Sequence, residues 1–330
     1  MKGSLTHGTI CPAGHPFDNP KADVILRSSD KPPTDFYVFK LLLSLASPFF
    51  DDAFTLPQPP KSDNTTSSIP VINMAEDRRT LELVLGFCYP ISIAEPPLVS
   101  SLEDLKLAMR AALKFEMKNI QSYLRRVLAE PRFMECQPLR VFAIACHYGW
   151  AIEARKAARH TLRYSTRVSN MIVDELELIS AAMYHRLQCY QQQCGDAAAS
   201  HVLDRRIPKS GEEWLWDTCP ECPREQHDNV KGSFGRFREE WRRSARPRWL
   251  LEWMNAVAMA LRDRPYGQTV KSFDLRREAL IQANKCRYCS GGADEELDLF
   301  IESLAQQVEA CVSKIILDLG LEDKQANVDQ

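Results

Sequence analysis

The pattern of apolar and polar positions at the start of the chain predicts two strands followed by two helices. Residues 22–27 form an aliphatic and β-branched run, residues 28–35 are polar and contain two prolines, and residues 36–39 are aromatic and β-branched. A leucine-rich turn follows. The dipeptide Ser47-Pro48 then ends one helix and begins another, because serine caps a helix and proline fits its first position. The chain therefore opens with a strand–turn–strand unit that leads into short helices.

Helical spacing dominates the segment that follows, up to about residue 130. Residues 70–74 are predicted to form a third short strand, and residues 80–89 a helix that ends at Pro90. The apolar face of this helix has spacings of three and four residues: Leu81, Val84, Leu85 and Cys88. Two further helices are predicted over residues 102–115 and 118–128.

Two sequence strings in this region resemble the BTB/POZ domain, in the form common among fungal proteins. The first is Lys40-x-x-Leu43-x-x-x-Ser47-Pro48-x-Phe50-x-x-x-Phe54, and the second is Phe87-Cys88-Tyr89-Pro90. The resemblance covers residues 22–130 and implies a short β-sheet flanked by a helical cluster. It also implies a protein-interaction module that has no active site.

Two charged residues match positions that BTB/POZ domains usually keep charged. Asp23 begins the first predicted strand and Lys40 follows the second. In some relatives this pair lies near the dimer groove, so the resemblance makes both residues candidates for a partner interface. The alternative is that Asp23 caps a turn and Lys40 is solvated, since exposed charge pairs contribute little to stability. The chain departs from the family pattern at Phe39, where a histidine is usual, and it has no apolar strand ahead of residue 22.

The chain after residue 130 is predicted to be helical throughout. Residues 138–162 form a helix pair that resembles the BACK-like extension that often follows a BTB/POZ domain, and residues 172–190 carry the apolar stripe of a longer helix. The predicted fold class is therefore α+β, mainly α, with an all-helical C-terminal region. The predicted order is an unstructured N-terminus (1–21), the BTB/POZ domain (22–130), the BACK-like extension (131–193), a helical cysteine- and tryptophan-bearing region (194–320) and a tail (321–330).

Two CxxC pairs make the last region a candidate metal centre. Cys219 and Cys222 form the first pair, Cys286 and Cys289 form the second, and 63 residues lie between them. The thiolates of a CxxC turn can converge on one zinc ion at about 2.3 Å, and two such turns supply the four ligands of a structural site. The gap is longer than the roughly 15–20 residues of compact zinc sites. Reduced cysteines in a helical core are the alternative.

An arginine-rich stretch precedes the second cysteine pair. Residues 236–249 contain six arginines interleaved with aromatic residues, which is one signature of a nucleic-acid or acidic-partner surface. The same stretch also fits an amphipathic helix that buries Trp241 and offsets its arginines with nearby glutamates. We favour the helix, because the whole chain has a net charge of only −2. Nucleic acid is therefore not an expected partner.

Composition and motifs limit the cellular compartments and the classes of function that we expect for this protein. The N-terminus has no apolar signal segment, and the chain has no apolar run of about 18 residues, so we expect an intracellular protein, cytoplasmic or nuclear, with no membrane partner. Eleven cysteines without a secretory signal argue against a disulfide framework. No phosphate-binding loop, nucleophile elbow or metalloprotease motif is present, so we do not expect an enzyme.

The sequence thus favours a protein–protein interaction scaffold. Its expected partners are other proteins, among them a second copy of the chain and a cullin of a ubiquitin ligase, because relatives with a BTB–BACK order include such adaptors. The alternative is a nuclear or transcriptional regulator that contains zinc. Structural Zn²⁺ is the one cofactor that the residues suggest.

Overall fold

A computed structural model describes residues 10–56, 69–165, 173–203, 214–223 and 246–321. The chain divides into two compact units, Met1–Phe133 and Met134–Gln330. The first unit combines a small sheet with helices, and the described part of the second unit is helical. The predicted fold class, α+β with a helical C-terminal region, is confirmed.

A four-stranded sheet forms one side of the first unit. Its strands are β1 (Cys11–Pro12), β2 (Val24–Arg27), β3 (Thr34–Val38) and β4 (Val71–Asn73), in the spatial order β1-β3-β2-β4. Strands β2 and β3 are antiparallel, with Leu26 opposite Phe36, and β1 and β4 pair in parallel with β3 and β2. Both Leu26 and Phe36 are buried, so the apolar runs of the sequence form the centre of the sheet.

Five helices complete the described part of the first unit, and a sixth follows at the boundary between the units. They are α1 (Lys40–Ala46), α2 (Pro48–Thr55), α3 (Arg78–Gly86), α4 (Leu102–Lys114), α5 (Lys118–Leu128) and α6 (Pro131–Met134). Ser47 separates α1 from α2, and its hydroxyl has two roles. It accepts a hydrogen bond from the Phe50 amide at 3.1 Å and donates one to the Phe115 carbonyl at 2.6 Å. This buried hydroxyl therefore caps α2 and ties it to the end of α4.

The N-terminal stretch differs from the sequence-based expectation. The prediction of an unstructured segment up to residue 21 is wrong for residues 10–21, and residues 1–9 lie outside the described part of the chain. A strand does precede residue 22, since β1 pairs with β3. Phe17 is buried, with its ring centroid 5.3 Å from those of Phe36 and Tyr89. A two-residue strand and one aromatic anchor hold this segment, and neither has a periodic pattern, so a search for periodicity does not detect it.

The second unit is built from helices of very different lengths. They are α7 (Pro138–His147), α8 (Ala151–Thr161), α9 (Ala181–Leu203), α10 (Leu215–Thr218), α11 (Arg248–Asp263), α12 (Gly267–Val270), α13 (Phe273–Ala283) and α14 (Ala293–Ser313), with 3₁₀ turns at Asp174–Leu178 and Cys289–Gly291. Buried alanines line the face of α8 that packs against α7. Gly195 of α9 lies where that helix meets α11, next to the Arg262 backbone.

The long helix predicted over residues 172–190 is interrupted. The chain forms a 3₁₀ turn at Asp174–Leu178 and begins α9 only at Ala181, where the Ser180 hydroxyl accepts a hydrogen bond from the Met183 amide. Glu175 explains the break, because its buried carboxylate pairs with the Arg140 guanidinium of α7 through two hydrogen bonds of 2.7 and 2.8 Å. A bidentate pair of this kind outweighs the weak preference of a few residues for helix.

We predict that Ser47→Ala loosens the first unit. The change removes the cap of α2 and leaves the buried Phe115 carbonyl without its donor, which costs about 1–3 kcal/mol. Hydrogen exchange of the full chain, followed by mass spectrometry, should show faster exchange in peptides from residues 102–117. Ser122→Ala, at an exposed position of α5, is the control and should leave exchange unchanged. Unaltered exchange in Ser47→Ala would contradict this role.

We also predict that Gly195→Ala destabilises the second unit. A Cβ at this position would lie 2.7 Å from the Arg262 carbonyl oxygen, so α11 would have to move, at a cost of about 1–3 kcal/mol. Better helix propensity offsets only about 1 kcal/mol of that cost. Gly291→Ala is the matched control, because a Cβ there meets nothing within 4 Å.

Tryptophan fluorescence during urea unfolding measures this effect selectively. All six tryptophans lie after residue 133, so the signal comes from the second unit. We expect a lower urea midpoint for Gly195→Ala and an unchanged one for Gly291→Ala. Equal midpoints in the two variants would show that the two helices separate without cost.

Candidate metal centre

The two CxxC pairs form two turns at the ends of short helical elements. The first knuckle, Cys219 and Cys222, follows α10, and the Cys222 amide donates a hydrogen bond to the Cys219 sulfur at 3.4 Å. The second knuckle, Cys286 and Cys289, follows α13 and leads into the 3₁₀ turn Cys289–Gly291. Each turn directs two thiols to one side, which is what the i, i+3 spacing predicted.

The structure brings the two knuckles together. All four sulfurs lie within 4.8 Å of one another. The Cys219 and Cys286 sulfurs are 3.5 Å apart, and those of Cys222 and Cys289 are 3.6 Å apart. Four sulfurs at about 2.3 Å from a tetrahedral zinc ion are about 3.8 Å from each other. The four cysteines could therefore hold a metal ion, and α11, α12 and α13 bridge the long gap between the knuckles.

Burial and hydrogen bonding give the four thiols different pKa values. Cys219, Cys222 and Cys289 are buried, whereas Cys286 is only partly so. Burial raises the pKa of the Cys222 thiol to about 12 and raises that of Cys289 as well. Burial also opposes ionisation of Cys219, but hydrogen bonds from the backbone amides of Cys222 and Glu221, together with those from the other cluster thiols, lower the pKa of this thiol. Several buried thiolates can therefore coexist here only with a cation to balance them.

Further contacts join the two knuckles next to the sulfurs. The Glu221 carboxylate lies 3.7 Å from the Cys286 sulfur, and the hydroxyls of Thr218 and Tyr288 are 3.3 Å apart. The Leu215 amide donates a short hydrogen bond to the Glu296 carboxylate in the first turn of α14. Residues 214–223 are thus attached to the second knuckle and to α14 by polar contacts along their length.

An aromatic cluster anchors the same segment at its other end. The Trp216 side chain is 1% exposed, and its ring lies 5.3 Å from that of Trp214, 5.6 Å from Trp249 and 5.8 Å from Phe300. Aromatic pairs in these offset and edge-on arrangements stabilise a fold beyond the burial of their surface. Residues 214–223 therefore have an aromatic anchor at one end and the cysteine cluster at the other, in addition to the polar contacts between them.

The structure brings Asp23 and Lys40 together at the start of α1. The Lys40 amide donates a hydrogen bond of 2.8 Å to the Asp23 carboxylate, and the Lys40 ammonium lies 5.7 Å from the centre of the Phe54 ring. Asp23 is exposed and Lys40 is partly buried. Asp23 thus satisfies an amide in the first turn of α1, and both charged groups remain at the surface of the first unit.

Two leucines beside this pair face solvent, which the sequence analysis did not detect. Leu41 is 68% exposed and Leu45 is 78% exposed, whereas Leu43 of the same helix is fully buried. A helix buries one face, so leucines at i and i+4 on the opposite side stay outside. The only sequence signal is the excess of leucine over what one helix face can bury.

The arginine-rich stretch is described only at its end. Residues 236–245 lie outside the described part of the chain, so neither interpretation of those residues is tested. Arg248 pairs with Glu252 at 2.8 Å on the exposed side of α11, and Trp249 is buried in the aromatic cluster. The end of the arginine-rich stretch, which forms the first turn of α11, therefore has the amphipathic pattern that the sequence analysis favoured.

Comparison with known proteins places the first unit. Within the described residues, no helix is long and apolar enough to cross a membrane. No curated protein matches the chain. The fungal form of the domain and the BACK-like extension stay predictions. Residues 17–131 match the family model of the BTB/POZ domain, and this match, on a sheet flanked by helices, supports a role in protein–protein interaction.

Proposed function

We propose that this protein is an interaction scaffold that self-associates through α1 of its BTB/POZ region and carries a structural zinc in its second unit. The observation that carries the first part is the pair of exposed leucines on α1. Leu41 and Leu45 are four residues apart, so their side chains lie side by side on one face of the helix. Adjacent large apolar side chains at a surface favour a protein–protein contact, because association removes them from water.

A second copy of the chain fits this face because its charges can complement themselves. A two-fold contact brings the same patch of both copies together. Asp23 and Lys40 lie next to each other at the start of α1 and have opposite charges. In a two-fold contact, the Asp23 carboxylate of one copy can approach the Lys40 ammonium of the other. The leucines would then supply the buried area of the contact, and the charged pairs would fix the orientation of the two copies.

We predict that Leu45→Glu weakens self-association by at least about tenfold, because it places a charge in the apolar contact. Sedimentation equilibrium of the full chain at high micromolar concentration measures the effect. Ile91→Glu is the control, since Ile91 is 76% exposed in the same unit but lies outside α1. It should leave the dimer unchanged. Lys40→Glu tests the charge pair and should weaken association less than Leu45→Glu does.

A strict monomer of the unmodified protein would remove the self-association part of the proposal. If Ile91→Glu weakens self-association as much as Leu45→Glu does, the contact is not specific to α1.

A cullin is the second partner that we propose, and the support is the helix pair α7–α8, which lies in the stretch that resembles a BACK-like extension. Co-purification with a cullin tests this adaptor role. Binding that survives Leu45→Glu would place the cullin on a different surface from the second copy. If neither the unmodified protein nor the Leu45→Glu variant binds a cullin, the proposal is restricted to self-association.

The zinc part of the proposal is supported by the donor set. Four sulfur donors from two CxxC turns match the ligands of a structural site, and none of the four positions is left for water. Three of the four thiols are buried, as in a closed site. When bound, zinc would supply the positive charge that balances the buried thiolates. The same cluster also favours the alternative function, that of a nuclear regulator that contains zinc.

We predict that the purified protein contains one equivalent of zinc and that Cys222→Ser loses most of it. Elemental analysis of the full chain measures the content. Cys311→Ser is the control, because Cys311 donates to the Ala197 carbonyl and lies outside the cluster. Since the ligands must lose their protons to bind, acidification should release the metal. Far less than one equivalent, together with four cluster thiols that react fully with a thiol reagent, would reject the zinc site.

A further inference from the structure

Two sulfur–sulfur contacts in the cysteine cluster connect one knuckle with the other. They join Cys219 to Cys286 at 3.5 Å and Cys222 to Cys289 at 3.6 Å. A disulfide has sulfurs about 2.05 Å apart, so either pair would need to close by about 1.5 Å. Rotations of the side chains can supply much of such a movement. Inside the first knuckle, the Cys219 sulfur instead accepts a hydrogen bond from the Cys222 amide.

The two pairs differ in their access to solvent. Cys286 is partly exposed, whereas Cys222 and Cys289 are both buried. Soluble oxidants react first with the thiol that they can reach. Cys286 is therefore the first site of attack, and Cys219 is the thiol placed against it.

We propose that the cluster is an oxidation site, at which hydrogen peroxide converts Cys219 and Cys286 into a disulfide that joins the knuckles. The Cys286 thiolate attacks a peroxide oxygen, the O–O bond breaks, and hydroxide leaves to give a sulfenic acid. The Cys219 thiolate then attacks the sulfenic sulfur, the S–S bond forms and a second hydroxide leaves. The two thiol protons neutralise the hydroxides, so two thiols and hydrogen peroxide give one disulfide and two waters.

The consequence is that oxidation keeps residues 214–223 in place. A bond within either knuckle would leave the two turns free to separate once a metal departs. A bond from Cys219 to Cys286 would instead join them covalently at the position where the structure already holds them. This inference rests on the arrangement of the thiols and goes beyond the zinc proposal, so each of the two can fail without the other.

Peptide mapping of the full chain, as purified and after brief exposure to hydrogen peroxide, tests the pairing. Remaining thiols are alkylated, and the protein is digested with trypsin without reduction. Trypsin cuts after Lys285 and Arg287, so Cys286 and Cys289 leave in separate peptides. Cys219 and Cys222 share one peptide, and fragmentation at Glu221 between them locates the bond. Zinc content measured on the same samples reports separately on the metal.

We expect the peptide of Cys219 to be joined to that of Cys286 as the first disulfide product. Cys286→Ser should lose this joined species, and Cys311→Ser should keep it. The mapping of the unmodified protein decides the question even where Cys286→Ser fails to fold. A first disulfide between Cys219 and Cys222, or between Cys286 and Cys289, would overturn the inference. Protein that holds no zinc as purified, before any peroxide is added, and then gives the Cys219–Cys286 bond would overturn the zinc proposal alone.

Discussion

The convergence of four thiols is the constraint on which the described C-terminal part of the second unit depends. Residues 214–223 contain only one four-residue helix, which is too short to be stable without tertiary contacts. The segment stays in place because Trp216 is buried among aromatic rings and because its two cysteines meet the second knuckle. Burial raises the pKa of the Cys222 thiol to about 12, so the ionised form of this thiol would need a positive charge beside it.

The two units provide different kinds of surface. The first unit buries its two central strands and the cap at Ser47, but it leaves two leucines of α1 exposed to water, beside an acid and a base. The second unit buries three of the four cluster cysteines, and it also buries Trp214, Trp216, Trp249 and Trp253. A surface that is apolar and charged at once suits a partner, whereas an enclosed cluster suits a structural role. This division fits a scaffold in which one unit binds and the other is held rigid from within.

Periodic patterns were the reliable part of the sequence analysis, and irregular contacts were the part that it missed. Strands β2, β3 and β4, the Ser47-Pro48 junction and the helix Lys118–Leu128 follow from local patterns, and the structure agrees with them. Residues 10–21 are held by the pairing of β1 with β3 and by the buried Phe17, and the helix predicted over residues 172–190 breaks where Glu175 meets Arg140. Both depend on residues distant in the sequence, so no local pattern contains them.

The sequence by itself determined which residues can form each cysteine turn, because the spacing of three is a local property of the backbone. Only the tertiary structure decided that the two turns meet across 63 residues, since packing of the helices between them fixes the distance. The same holds for α1, where the sequence determined a leucine-rich helix and the fold decided that Leu43 is buried and Leu45 exposed. A helix can bury only one face, and the neighbouring elements choose which one.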